Sequence, residues 1–312
     1  MSIKVRIARL DDVQGITEVH CSDVEKWYKW KGSEKVEASY RELSIEERFL
    51  HGGPWMSVET CAIHLNYILA SEQYPLVAEL NGRIVGELEL YVGEERGKLG
   101  KTAFIDIIVV HKNFRRRGIG KALINEARRI AIEEGCDTLS VWPEERAVPF
   151  YRKCGLREVA YNVVHFLIEV NEHLVRSHEH IVKPFPSNYK SLEQMLFISP
   201  RTASAFTTWL KSRWTLVLGT VKVKSDEGYV PELGLVFELE GIKQWKEAWL
   251  KLWTEDLDKL LKSLLWLCMR AGERGWKKLH LLIEEGIYGK YISEKLPGKI
   301  EGKEQVLMER LR

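Results

Sequence analysis

The chain has 312 residues, the size of two ordinary domains, and its 47 Lys and Arg against 45 Asp and Glu leave a net charge of +2. No general attraction to nucleic acid or anionic lipid follows from that balance, so any anion site must be local. Five scattered cysteines, odd in number and without C-x-x-C spacing, argue against a disulfide framework or a zinc cluster and read as reduced, packed thiols.

The N-terminal "MSIKVRIARLDD" carries charges where a signal peptide needs an apolar core, and no apolar run reaches the ~18 residues of a membrane span. A soluble, cytoplasmic protein is expected, as a monomer or homodimer. Charged residues make up 29% of the chain, a bias met in thermophile proteins.

In chain order, Ile3 to Arg9 alternates as a half-buried strand, and Asp11 or Asp12 is placed to cap the helix that follows. Trp27 to Trp55 is charged and aromatic, and includes His51; it reads either as the flank of a site or as core packing. Ser57 opens an amphipathic helix to Leu69. Asn81-Gly82 marks a two-residue hairpin between "PLVAEL" and "RIVGELELYV". "TAFIDIIVV", Thr102 to Val110, is nearly continuous apolar, as in a strand covered on both faces. Then follow a helix from Ile119 to Ile132 stopped by Gly135, the strand "TLSVW", a short helix from Ala147 to Lys153 stopped by Gly155, and two last strands ending near Val170. This predicts an α/β (α+β) fold, a mixed, mostly antiparallel sheet flanked by helices.

The rest of the chain repeats the plan. "HIVKPF" and "YKSLEQML" read as an opening strand and helix, Gly219 falls in register with Gly86, and Gly275 stands opposite Gly135. Domains at 1–170 and 171–312 are expected. In the second, the stretch from "LGLVF" to "LDKLL" is an insertion in place of the turn, and its Glu238, Glu240, Glu247, Glu255 and Asp256 would repel an anion. Trp245, Trp249, Trp253 and Trp266 read as helix packing.

Between the buried strand and its helix lies "NFRRRGIGKALI". A strand, then Arg115-x-x-Gly118-x-Gly120, then a helix sets a run of backbone N–H groups at a helix N-terminus, where an anion is favoured. A phosphate-binding P-loop would need Gly at 115 and Ser or Thr at 122, where Arg115 and Ala122 stand. A dinucleotide fingerprint would need glycine where Leu123 stands.

The block from Ala103 to Ala131, with "RAVPFYRKCGLRE" from Arg146 to Glu158, resembles the GNAT superfamily of N-acetyltransferases, over roughly residues 3 to 170. The resemblance implies acetyl-CoA as acyl donor, with its diphosphate cradled by Arg115, Arg116, Arg117, Gly118, Ile119, Gly120, Lys121 and Ala122, and its pantetheine arm along the backbone of Val110. It implies Tyr151 as general acid, within the pattern Ala147, Tyr151, Gly155, and no metal. Where many members carry an asparagine that touches the donor, this chain has Glu144.

The chemistry asks for the same parts. An amine with pKa ~10.4 costs ~4.6 kcal/mol to deprotonate at pH 7, so a base is needed. Asp106 interrupts the apolar strand and is one candidate, with a structural carboxylate as the equal alternative. Glu87 and Glu89 alternate on the neighbouring strand; they are second candidates, and the solvated outer face of a meander is the alternative favoured for them. For His111, after the strand, a solvated loop position is favoured. The expected activity is acetyl transfer to a primary amine, small molecule or protein, by direct attack in a ternary complex, without nucleic-acid or membrane partners. The rival reading is a catalytically idle CoA-binding or scaffold module.

Overall fold

A computed structural model describes residues 3–31, 34–170, 179–199, 204–214, 223–242 and 246–312. The first half runs β1 (Ile3–Ile7), α1 (Val13–Cys21), β2 (Trp27–Lys31), β3 (Glu34–Ala38), α2 (Ile45–Phe49), α3 (Val58–Ala70), β4 (Tyr74–Leu80), β5 (Arg83–Glu94), β6 (Lys101–Val110), α4 (Ile119–Glu133), β7 (Thr138–Val141), α5 (Val148–Lys153) and β8 (Glu158–Glu169). The second runs β9 (Leu196–Phe197), α6 (Ala205–Ser212), β10 (Val223–Val230), β11 (Leu235–Ile242), β12 (Glu247–Thr254), α7 (Leu260–Glu273), β13 (Lys278–Glu284), α8 (Glu285–Tyr291) and β14 (Lys299–Arg310).

Local chemistry explains the main elements. Asn81 and Gly82 both take positive φ, 52° and 79°, as the tightest hairpin turns require. Helix α4 buries Ile119, Leu123, Ile124, Ala127, Ile130 and Ala131 along one stripe and stops at Gly135, φ 67°. Helix α7 buries Leu260, Leu264, Leu267, Cys268 and Ala271 in the same way and stops at Gly275, φ 85°. Asp12 does not cap α1 with its side chain; its carboxylate instead accepts from the Arg9 N–H at 2.7 Å and pairs with Arg6.

Among the described residues twelve strands form one mixed sheet in the order β1-β4-β5-β6-β7-β14-β8-β13-β12-β11-β10, with β9 beside β12. Only β6·β7 and β12·β13 are parallel pairs. Each end of the sheet is therefore an antiparallel meander closed by a parallel pair, and β14 and β8 lie between the two. Strand β14 inserts between β7 and β8, while β8 pairs with β13. The cores follow the exchange: Val164, Phe166 and Ile168 of β8 pack with the second half, and Leu307 of β14 packs with the first.

Four expectations change. The two strands expected before Val170 are one strand, β8, because Glu158 to Glu169 holds no turn residue beyond the lone Asn162 and stays paired throughout. "HIVKPF" contributes only the bridge Lys183 to Tyr229, since Pro184 and Pro186 lack the N–H a strand needs, and "YKSLEQML" gives a short 3-10 turn at Tyr189–Ser191. The expected insertion is instead the hairpin β11–β12: Gly234, at φ 59°, ends the tight turn after β10, and β12 rather than β11 is the counterpart of β6. Trp249 and Trp253 accordingly sit on a strand, and only Trp266 lies on a helix. Gly219 and Trp245 lie outside the described residues.

Helix α6 of the second half lies on β5 of the first. Ser204 caps it, and the Glu95 carboxylate accepts from the Ala205 N–H at 2.6 Å. Gly93 makes the close approach possible, because a Cβ there would come within 2.2 Å of Phe206.

Candidate active site

Strands β6 and β7 stay in register only as far as Ile105 and Val141. Beyond that point they part, so Asp106 to Val110 keeps one unpaired edge and is half-buried, where continuous apolar sequence suggested cover on both faces. The strand runs into the arginine turn. Gly118 holds φ 84°, and a Cβ added there would meet nothing within 4 Å. Gly120, by contrast, is sterically tight: its Cβ would stand 3.0 Å from the Phe150 ring. The first N–H groups of a helix have no acceptor within it, as an anion site requires, and α4 starts at this turn.

The three arginines do different things. Arg115 donates through Nε to the Val110 carbonyl at 3.1 Å and pairs with Asp23, so it straps the turn to β6. Arg117 lies over the Phe114 ring at 5.3 Å. Arg116 is exposed at φ 61°. Ile119 buries its side chain in the core, so only its backbone is open to a ligand, while Lys121 is exposed and Ala122 half-buried. These residues fit a diphosphate. Glu144 is exposed and paired with Arg146.

Glu87 and Glu89 are not on a solvated face. They are 1% and 0% exposed, covered by α1 and α3, and each meets a histidine. His20 Nε2 of α1 lies 2.9 Å from Glu87, and His64 Nε2 of α3 lies 2.8 Å from Glu89. Trp55 stands between the pairs: it stacks on His20 at 5.0 Å, meets His64 edge-on and donates its indole N–H to Glu89 at 2.8 Å. The Tyr91 hydroxyl donates to the other Glu89 oxygen.

The electrostatics separate the two carboxyls. Burial, then the charge of Glu89, pushes the Glu87 carboxyl well above the ordinary carboxylate range, so it keeps its proton. Burial acts on Glu89 too, but His64, the Lys211 ammonium and the Tyr91 hydroxyl outweigh it and hold that carboxyl low. Burial lowers His20 to about 4, leaving it neutral.

Asp106 meets the second half of the chain, its carboxylate accepting from Lys211 Nζ of α6 at 2.7 Å. Lys211 and His64 both line a cavity of about 440 Å³ between the halves, walled by Trp55, Tyr67, Trp214 and Trp249. Glu238, Glu240 and Lys251 form its far side. Glu238 and Glu240 thus line a cavity rather than flank an anion turn. At the counterpart of the arginine turn, Asp256 caps the approach to α7 by accepting from the Asp258 N–H.

Tyr151 is buried against the core of the first half, edge-on to Phe150, and burial raises its hydroxyl far above the usual phenol value. His111 is buried, not solvated: it accepts from the Asn113 N–H and packs edge-on to Phe114. From the aromatic segment, Trp55 and Phe49 reach the cavity, whereas Trp27 and His51 pack on each other and His51 bonds the Tyr28 backbone. His20, His64, Tyr91 and Lys211 escaped the sequence reading. The signal available was two glutamates at alternate positions of an otherwise apolar strand, which demand buried partners. Among the described residues no group of three His, Cys, Asp or Glu side chains could hold a metal ion.

The sequence profile of the Acetyltransferase (GNAT) family matches residues 33–156. A glucosamine 6-phosphate N-acetyltransferase of Trypanosoma brucei brucei is 35% identical over 77 residues, which are 24% of this chain and 52% of that protein; the chain spans about half the length of that relative. The fold matches a GCN5-related N-acetyltransferase from Anabaena variabilis (TM-score 0.63, 12% identity, 98% of this chain and 72% of that one). It also matches one from Kribbella flavida (TM-score 0.61, 11% identity, 99% and 71%).

Proposed function

Since the chain carries an acetyltransferase domain of the GNAT family, we propose that it moves an acetyl group from acetyl-CoA to a primary amine by direct attack in a ternary complex. The observation that carries this reading is the unpaired edge of β6, Asp106 to Val110. The turn that fits a diphosphate stands at one end of the unpaired edge of β6, and Asp106, at the other end, meets the Lys211 that lines the cavity.

Acetyl-CoA would supply a thioester carbonyl there, held by the backbone of Gly118 to Ala122 and of Val110, with Arg116, Arg117 and Lys121 around the phosphates. His64 is the base that meets the amine. It lines the cavity, and Glu89 behind it orients the ring and stabilises the cation formed when the proton arrives. Glu87 and Glu89 are too deeply buried to touch an amine, so they act as positioning residues. A backbone N–H near Val110 meets the charge developing on the carbonyl oxygen. Tyr151 keeps its proton at neutral pH, as the donor to a leaving thiolate must.

Residues 1–170 and 171–312 form two related units, the second without a cofactor cradle. Supporting this are the matching ends of the sheet, the paired helix stops at Gly135 and Gly275, and the lack of an R-x-x-G-x-G turn before α7.

The test is thiol release from acetyl-CoA over a panel of amines that includes glucosamine 6-phosphate, the substrate named for the trypanosome relative. Amine-dependent release is expected. Tight acetyl-CoA binding without release for any amine would favour the idle module.

A further inference from the structure

The far wall of the cavity has a charge problem that its own residues do not solve. Glu238 is 5% exposed, lines the cavity, and its Oε2 has no hydrogen-bond partner among the described residues. Lys251 Nζ pairs with it at 3.5 Å, beyond good hydrogen-bond geometry, and more closely with Glu240, at 2.5 Å. A carboxylate oxygen buried without a donor is destabilising, and burial raises the Glu238 carboxyl.

Aromatic rings complete the lining, and one of them, Trp249, is the cross-strand neighbour of Glu240. Trp249 is 36% exposed, with His280 stacked behind it at 4.6 Å, and Trp214 stacks on Tyr67. Indole and phenol faces beside a carboxylate favour a cation on an apolar body. Lys211 is already matched by Asp106, and Lys251 faces two carboxylates, so neither ammonium is free for an anionic ligand. With Glu238 ionised, the carboxylates of Asp106, Glu89, Glu238 and Glu240 outnumber the ammonium groups of Lys211 and Lys251 around the cavity. A volume of about 440 Å³ suits a small molecule rather than a folded protein surface.

Resting on the acetyltransferase reading, we propose that the second half of the chain builds the acceptor subsite: the cavity takes a small diamine, one nitrogen at His64 and a second, cationic nitrogen at Glu238 and Glu240, its apolar chain along Trp214 and Trp249. The far ammonium donates to Glu238 Oε2, which restores that carboxylate's charge. The near amine gives up its proton at His64.

The test uses the full chain, with 1,ω-diaminoalkanes compared against the monoaminoalkanes of equal length and a phosphorylated amino sugar. Calorimetry without acetyl donor and thiol release with it are read separately. Diamines should bind and turn over at least about 10-fold better than their monoamine partners, the scale of one charge-assisted hydrogen bond. In E240Q, whose side chain is partly exposed and whose fold is checked by its melting curve, and in E238Q, that ratio should fall towards one. Equal affinities for diamine and monoamine, a ratio unchanged in both variants, or preference for the phosphorylated amine would overturn the proposal. Selective diamine binding without any thiol release would overturn the acetyltransferase reading and leave this subsite standing. Release without discrimination would do the reverse.

Discussion

Tyr67 and Trp214 stack face to face, ring centroids 5.6 Å apart and planes 7° from parallel, although one lies near the end of α3 of the first half and the other just after α6 of the second. Each stands ten residues after the serine that caps its helix, Ser57 and Ser204, and in both caps the serine hydroxyl bonds a threonine three residues on. Seven residues after those serines stand His64 and Lys211. The stack thus marks where two equivalent helices meet, and the equivalent positions offer the cavity an imidazole from one side and an ammonium from the other.

If His64 takes the proton, His64→Ala should lower turnover by roughly 10²-fold or more, and imidazole added to the assay should restore part of it. The two carboxyls behind the histidines should differ. Glu87 already carries its proton, so Glu87→Gln removes no charge and should stay within a few-fold of wild type. Glu89→Gln removes the anion that stabilises the cationic ring and should approach the histidine variant. Steady-state rates for the four proteins decide this; equal effects at Glu87 and Glu89 would contradict the charge assignment.

Tyr151→Phe should leave acetyl-CoA binding intact and slow turnover by roughly 10². The ring would keep its edge-on contact with Phe150, so little stability is at stake. Rates within twofold of wild type would move the proton donor elsewhere.

At the turn, Gly118→Val and Gly120→Val should weaken acetyl-CoA more than Arg116→Ala, because backbone donors hold the diphosphate while one exposed arginine adds a screened charge. The causes differ: valine at 118 would have to hold φ 84°, and valine at 120 would press on Phe150. Calorimetry showing full affinity in both valine variants would contradict backbone binding.

Glu95 gives a pH signature of stability. Burial raises its carboxyl from an ordinary value to about 7. A folded-state value above the unfolded one means that stability is fully present below the unfolded value and is lost as pH rises through about 7. Glu95→Gln can still accept from Ala205 and carries no charge, so it should remove a pH-dependent loss of up to about 3 kcal/mol. Melting curves at pH 5 and pH 8 should show the wild type losing more Tm than the variant.

Deleting residues 171–312 should leave 1–170 insoluble or destabilised, because it strips β14 from between β7 and β8 and exposes the apolar face of β8. A soluble fragment with a cooperative melt would show that the first half needs no partner strand.

The parts that local chemistry specifies were legible: the Asn81-Gly82 hairpin, the apolar stripe of α4 and the glycine turn before it. Glu87 and Glu89 were visible as candidates but were assigned to the wrong side of the sheet, since alternation shows that two residues share a face and not what covers it. Their covers, His20 and His64, lie on helices far away in sequence and leave no periodic trace. The register of the second half slipped by one hairpin because "LVFEL" and "AWLKLW" are equally good strands, and only pairing with β13 distinguishes them. The exchange of β8 and β14 is a choice of partner across more than a hundred residues, which no window of sequence encodes.

That exchange also sets a timetable. Strand β7 has no β14 neighbour until Leu307 to Arg310 arrive, so during synthesis the first half waits with an open edge while the second half is made. The elements that build the diphosphate turn are all present by residue 133, yet the parallel strands whose parting opens the cleft are clamped only by Leu307 to Arg310. A chain without Leu307 to Arg310 would therefore lose more than four residues' worth of packing, because the edge of β7 would stay unpaired.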